Sequence, residues 1–286
     1  AIVRDLLAGA EAQRLMSRIA MMFAIAPAIA PIIGGWVFGW FGWRAVFGFL
    51  VLFGLTLFVL CRAWLPETLP REQRHSLHPM LLGRAYWRVF TRGDFLLLAG
   101  AIAALFNGFF IYVLSAPVFL MRHLGVSAQG FAWMFVPTVC GMMLGSYTSG
   151  RLAGRLSLRR TAAAGLGVML AAALINVTVN LWLPPGLPLS VLPLPLYTFG
   201  MMLTMPSITL LIMDLFAQRR GLVSSCQSFM QSATNSLVAA IVAPLLWGST
   251  LTLAVAMAAF LALAVMLFAI YLHLHRRQMQ SETAEG

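Results

Sequence analysis

The chemistry open to this chain rests on a few amide, hydroxyl and aromatic side chains set in long apolar sequence. Gln227, Gln231 and Asn235 recur at four-residue spacing, with Ser224 and Ser228 beside them, so a helix would carry them as one polar stripe. Asn107, Tyr112 and Ser115 interrupt a second apolar stretch that also holds Phe106, Phe109 and Phe110. Tyr197, Thr198, Thr204 and Ser207 interrupt a third. An apolar wall with a few such groups suits a small amphiphilic molecule. The same groups also serve helix-to-helix hydrogen bonds. For the glutamine stripe the two readings stand level; for any other single residue, packing is the commoner role. No Asp or Glu lies inside an apolar stretch, and Asp94 and Asp214 stand at stretch ends. The histidines, His75, His78, His123, His273 and His275, fall in connections or ends. Cys61, Cys140 and Cys226 show no CxxC spacing and read as small hydrophobes. Paired carboxylates, metal-ligand clusters and nucleophile–base sets are therefore missing from these stretches. The expectation is a protein that is not an enzyme and holds no catalytic residue, metal or cofactor.

The elements that position these groups follow from composition. Of 286 residues, 61% are hydrophobic and 9% charged, against about 25% charged in soluble domains. Too little polar side chain is present to cover a folded surface against water. Stretches free of Asp, Glu and Arg mark crossings of about 20 residues: Ile19–Trp40, Ala45–Cys61, Phe95–Met121, Phe131–Ser149, Thr161–Leu183, Val191–Met213, Leu222–Trp247 and Thr250–Leu272. Pro184-Pro185-Gly186 divides the fifth from the sixth; Pro244 and Gly248-Ser249 divide the seventh from the eighth. They are apolar on every face, unlike barrel strands, which alternate. The predicted class is an all-α integral membrane protein with about eight transmembrane helices.

The net charge of +11 comes from arginine; the chain has no lysine. Numbering the connections alternately puts seventeen of nineteen arginines on one side, leaving only Arg44 and Arg122 on the other. By the positive-inside rule the rich side is cytoplasmic, and so are both termini. The charge is thus read as a topology signal, with no nucleic-acid partner. Arg84, Arg88 and Arg92 lie four apart within 77–92, among Leu81, Leu82, Tyr86, Val89 and Phe90. That segment reads either as an amphipathic helix lying on anionic lipid or as a plain polar loop. The tail beyond His275 is polar and expected to be disordered.

The sharpest local signal is Ala26-Pro27-Ala28-Ile29-Ala30-Pro31-Ile32-Ile33-Gly34-Gly35. Two prolines four apart remove backbone donors, and small residues admit a neighbouring helix. This segment resembles the antiporter signature of the fifth helix in drug:proton antiporters of the major facilitator superfamily, with Ala30 in place of a glycine and Pro27, Pro31, Gly34 and Gly35 as the other motif positions. The flanks Val3-Arg4-Asp5, Ala12-Gln13-Arg14-Leu15-Met16-Ser17, Gly42-Trp43-Arg44-Ala45-Val46-Phe47 and Leu65-Pro66-Glu67-Thr68-Leu69 follow the order of the bicyclomycin/chloramphenicol-resistance (Bcr/CflA) type. A more degenerate motif, Gly145, Ser149, Gly150, Arg151, Gly154 and Arg155, is similar to the family's loop after its eighth helix, with Ser149 at the acidic position.

The resemblance implies family helices 5–12, with the first four helices lacking. It divides the chain into 1–65 as the end of an N-terminal half, 66–93 as a central loop with an amphipathic helix, 94–275 as a six-helix C-terminal half and 276–286 as a cytoplasmic tail. It implies a substrate cavity lined by Asn107, Tyr112, Ser115, Tyr197, Thr204, Gln227, Gln231 and Asn235. It also implies a cytoplasmic gate at Gly145, Gly150, Arg151, Gly154, Arg155 and Asp214. The expected function is proton-coupled export of small amphiphilic drugs by alternating access in the bacterial inner membrane, powered by the proton gradient alone. The expected partners are the bilayer, a drug-like substrate, protons and the missing N-terminal helices. The alternative is a transport-incompetent fragment, or a helix-association partner of a separate N-terminal half. In the wider family the coupling carboxylates belong to the N-terminal half, consistent with spans that hold no acid.

Overall fold

The computed structural model describes residues 3, 6–65, 79–126, 128–217 and 219–285; the side chains at 23–32, 34–36, 38, 79–82, 128–129 and 276–285 are outside this description. Among the described residues the regular structure is helical, joined by short turns, with one isolated bridge between Ala153 and Leu156. In chain order the helices are α1 (Gly9–Phe41), α2 (Trp43–Trp64), α3 (Pro79–Phe90), α4 (Gly93–Leu114), α5 (Ala132–Leu152), α6 (Leu158–Trp182), α7 (Pro193–Leu215), α8 (Arg220–Leu237) and α9 (Thr250–Glu285). A spanning chain must satisfy its backbone groups internally, which leaves helices as the natural solution for these apolar runs.

Among the described residues, α2, α4, α6, α7 and the Thr250–His275 part of α9 are long and apolar enough to cross a membrane. The remaining expected crossings also fall on helices, with differences in detail. The Phe95–Met121 stretch is α4 followed by a π-helical turn, Val118–His123, because Ser115 ends the helix and Pro117 lacks an amide donor. The Leu222–Trp247 stretch is α8, a π turn at Val238–Val242 and a last turn at Ala243–Leu245. Its Ser, Gln, Thr and Asn content lowers the apolarity of α8. The tail expected to be disordered is instead helical to Glu285. Residues 276–285 contain no Gly or Pro to stop a helix already running. Within 77–92 a helix does form, from Pro79. The central-loop residues 66–78 lie outside the described residues.

The centre of the bundle is α7, which packs against α4, α5 and α6 and also touches α1 and α8. Its buried side chains lie on every face, among them Leu194, Tyr197, Met201, Ile208 and Ile212. Close approach is made by glycine. A Cβ on Gly141 would overlap the Pro195 carbonyl, one on Gly145 the Phe199 carbonyl, and one on Gly200 would stand 2.6 Å from the Gly165 carbonyl oxygen. Lipid is as apolar as leucine, so helices here associate through such tight packing. On the far side, α9 lies along α4 and α6, with Leu253, Met257, Leu261, Ala264, Phe268 and Tyr271 buried at three- and four-residue spacing. By contrast, α2 packs against α1 and buries none of its 22 residues.

Gly200→Val should lower stability by about 1–3 kcal/mol through overpacking against α6, read as an earlier thermal unfolding midpoint in detergent. Gly167→Ala, whose new Cβ meets nothing within 4 Å, should leave the midpoint unchanged or raise it, since alanine favours helix by up to about 1 kcal/mol.

Candidate functional site

The polar residues singled out by sequence fall into three places. The first is the dry interior among α4, α6, α7 and α9. Tyr112 is fully buried, accepts a 2.8 Å hydrogen bond from Asn176 Nδ2 and stacks edge-on against Phe119 at 5.1 Å. Asn176 Oδ1 in turn accepts from Asn180 Nδ2 at 3.0 Å. Tyr197 donates to the Leu105 carbonyl at 2.9 Å, and Thr204 to the carbonyls of Gly200 at 2.9 Å and Ala162 at 3.3 Å. The indole of Trp247 donates to Ser115 Oγ at 3.1 Å. Each of these hydroxyls is engaged by another part of the bundle, so they tie helices together. Asn176 is a central member of this network, bonded to Tyr112, Met257 and Asn180. Apolar neighbours on every side hid that role.

The second place is a seam where α8 meets α4 and α7. Asn107, 1% exposed, donates to its own-helix Ala103 carbonyl at 2.9 Å and to Thr234 Oγ1 of α8 at 3.4 Å. Gln227 Nε2 donates to Thr209 Oγ1 of α7 at 3.2 Å, and Gln231 donates to Asn235 Oδ1 at 2.9 Å along α8. The stripe expected from its spacing therefore exists, and it is half-buried. Two buried acceptors, Asn107 Oδ1 and Gln227 Oε1, have no donor among the described residues. Thr209 and Thr234 belong to this seam too; in sequence they are single threonines in apolar or mixed context.

The third place is the crossing of α1 and α5. A Cβ on Gly150 would stand 3.6 Å from Ser17 Cβ, and one on Gly154 would meet Ala10 Cβ at 2.9 Å. These two contacts show the helices running antiparallel. Gly154 has φ +83°, a left-handed turn that only glycine adopts without strain. Gly145 faces α7 instead. Arg151 lies over the Tyr147 ring at 5.0 Å and hydrogen-bonds its hydroxyl, while Arg155 is exposed. Gln13 and Ser17 of α1 and Ser146 and Ser149 of α5 are buried, and Gln13 Nε2 and the three serine hydroxyls have no partner among the described residues. The i, i+4 spacing of Gln13 and Ser17 was a visible signal for this crossing. The backbone of α1 stays helical through Pro27, Ala30, Pro31, Gly34 and Gly35; the side chains of that motif lie outside the described residues.

At the same end of the bundle, Arg92 joins three elements. Its Nε is 3.7 Å from Asp94 Oδ2, its Nη1 donates to the Leu215 carbonyl at 3.4 Å, and its guanidinium lies 4.9 Å from the Phe216 ring centre. Asp214 occupies the last turn of α7 and, with Asp94 and Arg159, acts electrostatically on Tyr271 of α9. The gate residues thus divide between the α1–α5 crossing, α7 and this charged end. Among the described residues, no group of three or more His, Cys, Asp or Glu is placed to hold a metal ion.

The Major Facilitator Superfamily profile matches residues 1–239. The chain is 25% identical over 151 residues to a bicyclomycin resistance protein homolog of Haemophilus influenzae, covering 53% of this chain and 38% of that protein. It is 27% identical over 186 residues to a chloramphenicol resistance protein of Pseudomonas aeruginosa, covering 64% and 42%. It is 27% identical over 225 residues to the multidrug transporter MdfA of Edwardsiella ictaluri, covering 76% and 52%. The chain spans about half the length of these relatives. It belongs to the major facilitator superfamily, a family of membrane transporters rather than enzymes.

Tyr112→Phe should cost about 1 kcal/mol by removing its interhelical hydrogen bond with Asn176, and Asn176→Leu should cost more, because it also removes the contact with Met257 Sδ and the acceptor of Asn180 Nδ2. Their combined cost should fall short of the sum, as expected for partners in one network, in a double-mutant cycle on thermal unfolding in detergent.

Proposed function

We propose that this chain takes part in the export of small amphiphilic drugs across the bacterial inner membrane by alternating access, driven by inward proton flow. The family and the names of its relatives support a drug transporter. The observation that carries the mechanism is the α1–α5 crossing. α1 meets the six-helix body α4–α9 along α5 and, more lightly, α7, at a place where Gly150 and Gly154 receive Ser17 and Ala10 and where Gln13 Nε2 and Ser17 Oγ are buried with no partner among the described residues. Each such atom costs about 1–3 kcal/mol while dry. Opening the crossing returns it to water, so the closed and open arrangements come close in free energy, as a rocking carrier requires. On this reading Pro27, Ala30, Pro31, Gly34 and Gly35 continue the same moving helix, and Gly150, Arg151, Gly154, Arg155 and Asp214 belong to the gate, with Gly145 holding its α5 side to α7.

Substrate would lie along the α4–α8 seam. Asn107 Oδ1 and Gln227 Oε1 offer acceptors to an amine, amide or hydroxyl of the drug, beside Gln231 and Asn235. Tyr112, Ser115, Tyr197 and Thr204 stand behind that wall and hold its shape. The described spans place Asp94 and Asp214 at helix ends, so the proton carrier on this reading sits on helices other than α4–α9.

A second reading is favoured by α2, none of whose residues is buried although it packs against α1: transport needs further helices that pack there, and the present residues supply part of the carrier. Two measurements separate the readings. Purified chain in detergent should bind ethidium or chloramphenicol, and Asn107→Leu or Gln227→Leu should weaken that binding about fivefold, the worth of one hydrogen bond. Saturable binding that is indifferent to both changes would remove the seam as the site, and no binding at all would remove the drug-export reading. An efflux-deficient bacterial host expressing the chain alone should stay drug-sensitive if further helices are required, whereas resistance would overturn the second reading.

A further inference from the structure

Helix α3 fits none of the roles above. It docks on the body by its inner side. Val89 is buried, and Phe90 meets Phe95 of α4 at 5.7 Å and Phe229 of α8 at 6.1 Å, both edge-on. Arg92, at its end, is committed to Asp94, Leu215 and Phe216. The outer side is different in kind. Arg84 and Arg88, one turn apart, are exposed, and Trp87 between them is 73% exposed. Gly83, with nothing within 4 Å of where a Cβ would be, leaves a shallow hollow, open to the outside, along Gly83, Arg84, Trp87, Arg88 and Thr91. The Thr91 hydroxyl is turned back to the Trp87 carbonyl at 2.9 Å. No carboxylate among the described residues pairs with either arginine.

We infer that this hollow is a binding site for the headgroup of an anionic phospholipid, with the phosphate held between Arg84 and Arg88 and the Trp87 ring at the boundary of headgroup and acyl chain. Three observations converge on that occupant. Two adjacent guanidiniums without an acid partner among the described residues call for an anion, and guanidinium matches phosphate oxygens two at a time. An exposed tryptophan between them is the side chain that settles at the headgroup level of a bilayer. The helix joins the ends of membrane-spanning elements, so lipid headgroups are the anions present there at highest concentration. The inner face, held by Phe90 and Val89, fixes the helix on the body, so Arg84, Trp87 and Arg88 are presented together on its outer side. A headgroup bound there would link α3, and through Arg92 the ends of α4 and α7, to the lipid composition of the membrane.

The test is native mass spectrometry of the full chain titrated with phosphatidylglycerol or with phosphatidylcholine of the same acyl chains. The first phosphatidylglycerol should bind about tenfold or more tightly than phosphatidylcholine. R84Q/R88Q should abolish that preference. Gly83→Leu, which fills the hollow without changing charge and favours helix, should abolish it too. The charge-matched control R44Q/R122Q should retain it. Equal binding of the two lipids would overturn the site, as would a preference that survives Gly83→Leu or is lost in the control. Displacement of phosphatidylglycerol by inorganic phosphate would also overturn the lipid assignment in favour of a soluble anion. Both variants change exposed positions, and unchanged helical circular dichroism establishes that they fold.

Discussion

Everything in this bundle depends on how closely α7 can approach its neighbours. In hydrocarbon there is no hydrophobic drive between helices, so association rests on contact and on hydrogen bonds. At Gly141, Gly145, Gly165 and Gly200 the backbones of α5, α6 and α7 come near enough that a methyl group would meet a neighbour's carbonyl or side chain. That approach brings the Thr204 hydroxyl to the Ala162 carbonyl and the Thr198 hydroxyl to the Thr138 carbonyl at 2.9 Å. It also fixes the face of α7 from which Tyr197 reaches Leu105 of α4. Small residues set the distance, and hydroxyls then use it.

The α1–α5 crossing has the same small residues without the same bonds. Gly150 and Gly154 admit Ser17 and Ala10, yet Gln13 Nε2 and Ser17 Oγ are buried with no partner among the described residues. A contact of that kind holds shape through van der Waals packing and carries a standing polar cost. On the proposed mechanism, this contrast between α7 and the described part of the α1–α5 crossing separates a body from a moving part. It is also why the polar residues of the chain serve different ends. Those on α7 and α6 stiffen, those at the α1–α5 crossing loosen, and those on α8 remain half-open.

Much of this was legible in the sequence. Apolar runs without charge gave the helices, prolines and glycines gave most breaks, and four-residue spacing gave the α8 stripe and the α3 arginines. The Pro/Gly run and its flanks gave the family. What was not legible depended on partners distant in sequence. Tyr112 and Tyr197 look like wall residues in any apolar stretch, and only the packing of α6 and α4 brings Asn176 and the Leu105 carbonyl to their hydroxyls. Ser115 likewise gains its partner, Trp247, from a residue 132 positions away. The tail is helical because a helix already nucleated extends through residues that do not stop it, so its polarity says nothing of its order.

The central claim is that α1 moves against α5 while α5, α6 and α7 stay together. Spin labels at Arg18 and Arg155 span the crossing, and labels at Arg160 and Ala217 span the body; all four positions are at the bundle end, and Cys61, Cys140 and Cys226 would be replaced by alanine. Distances measured by pulsed electron resonance with and without a bound amphiphile test the claim directly. The account predicts that the Arg18–Arg155 distribution shifts with drug while the Arg160–Ala217 distribution does not. A fixed first pair with a shifting second pair would contradict it.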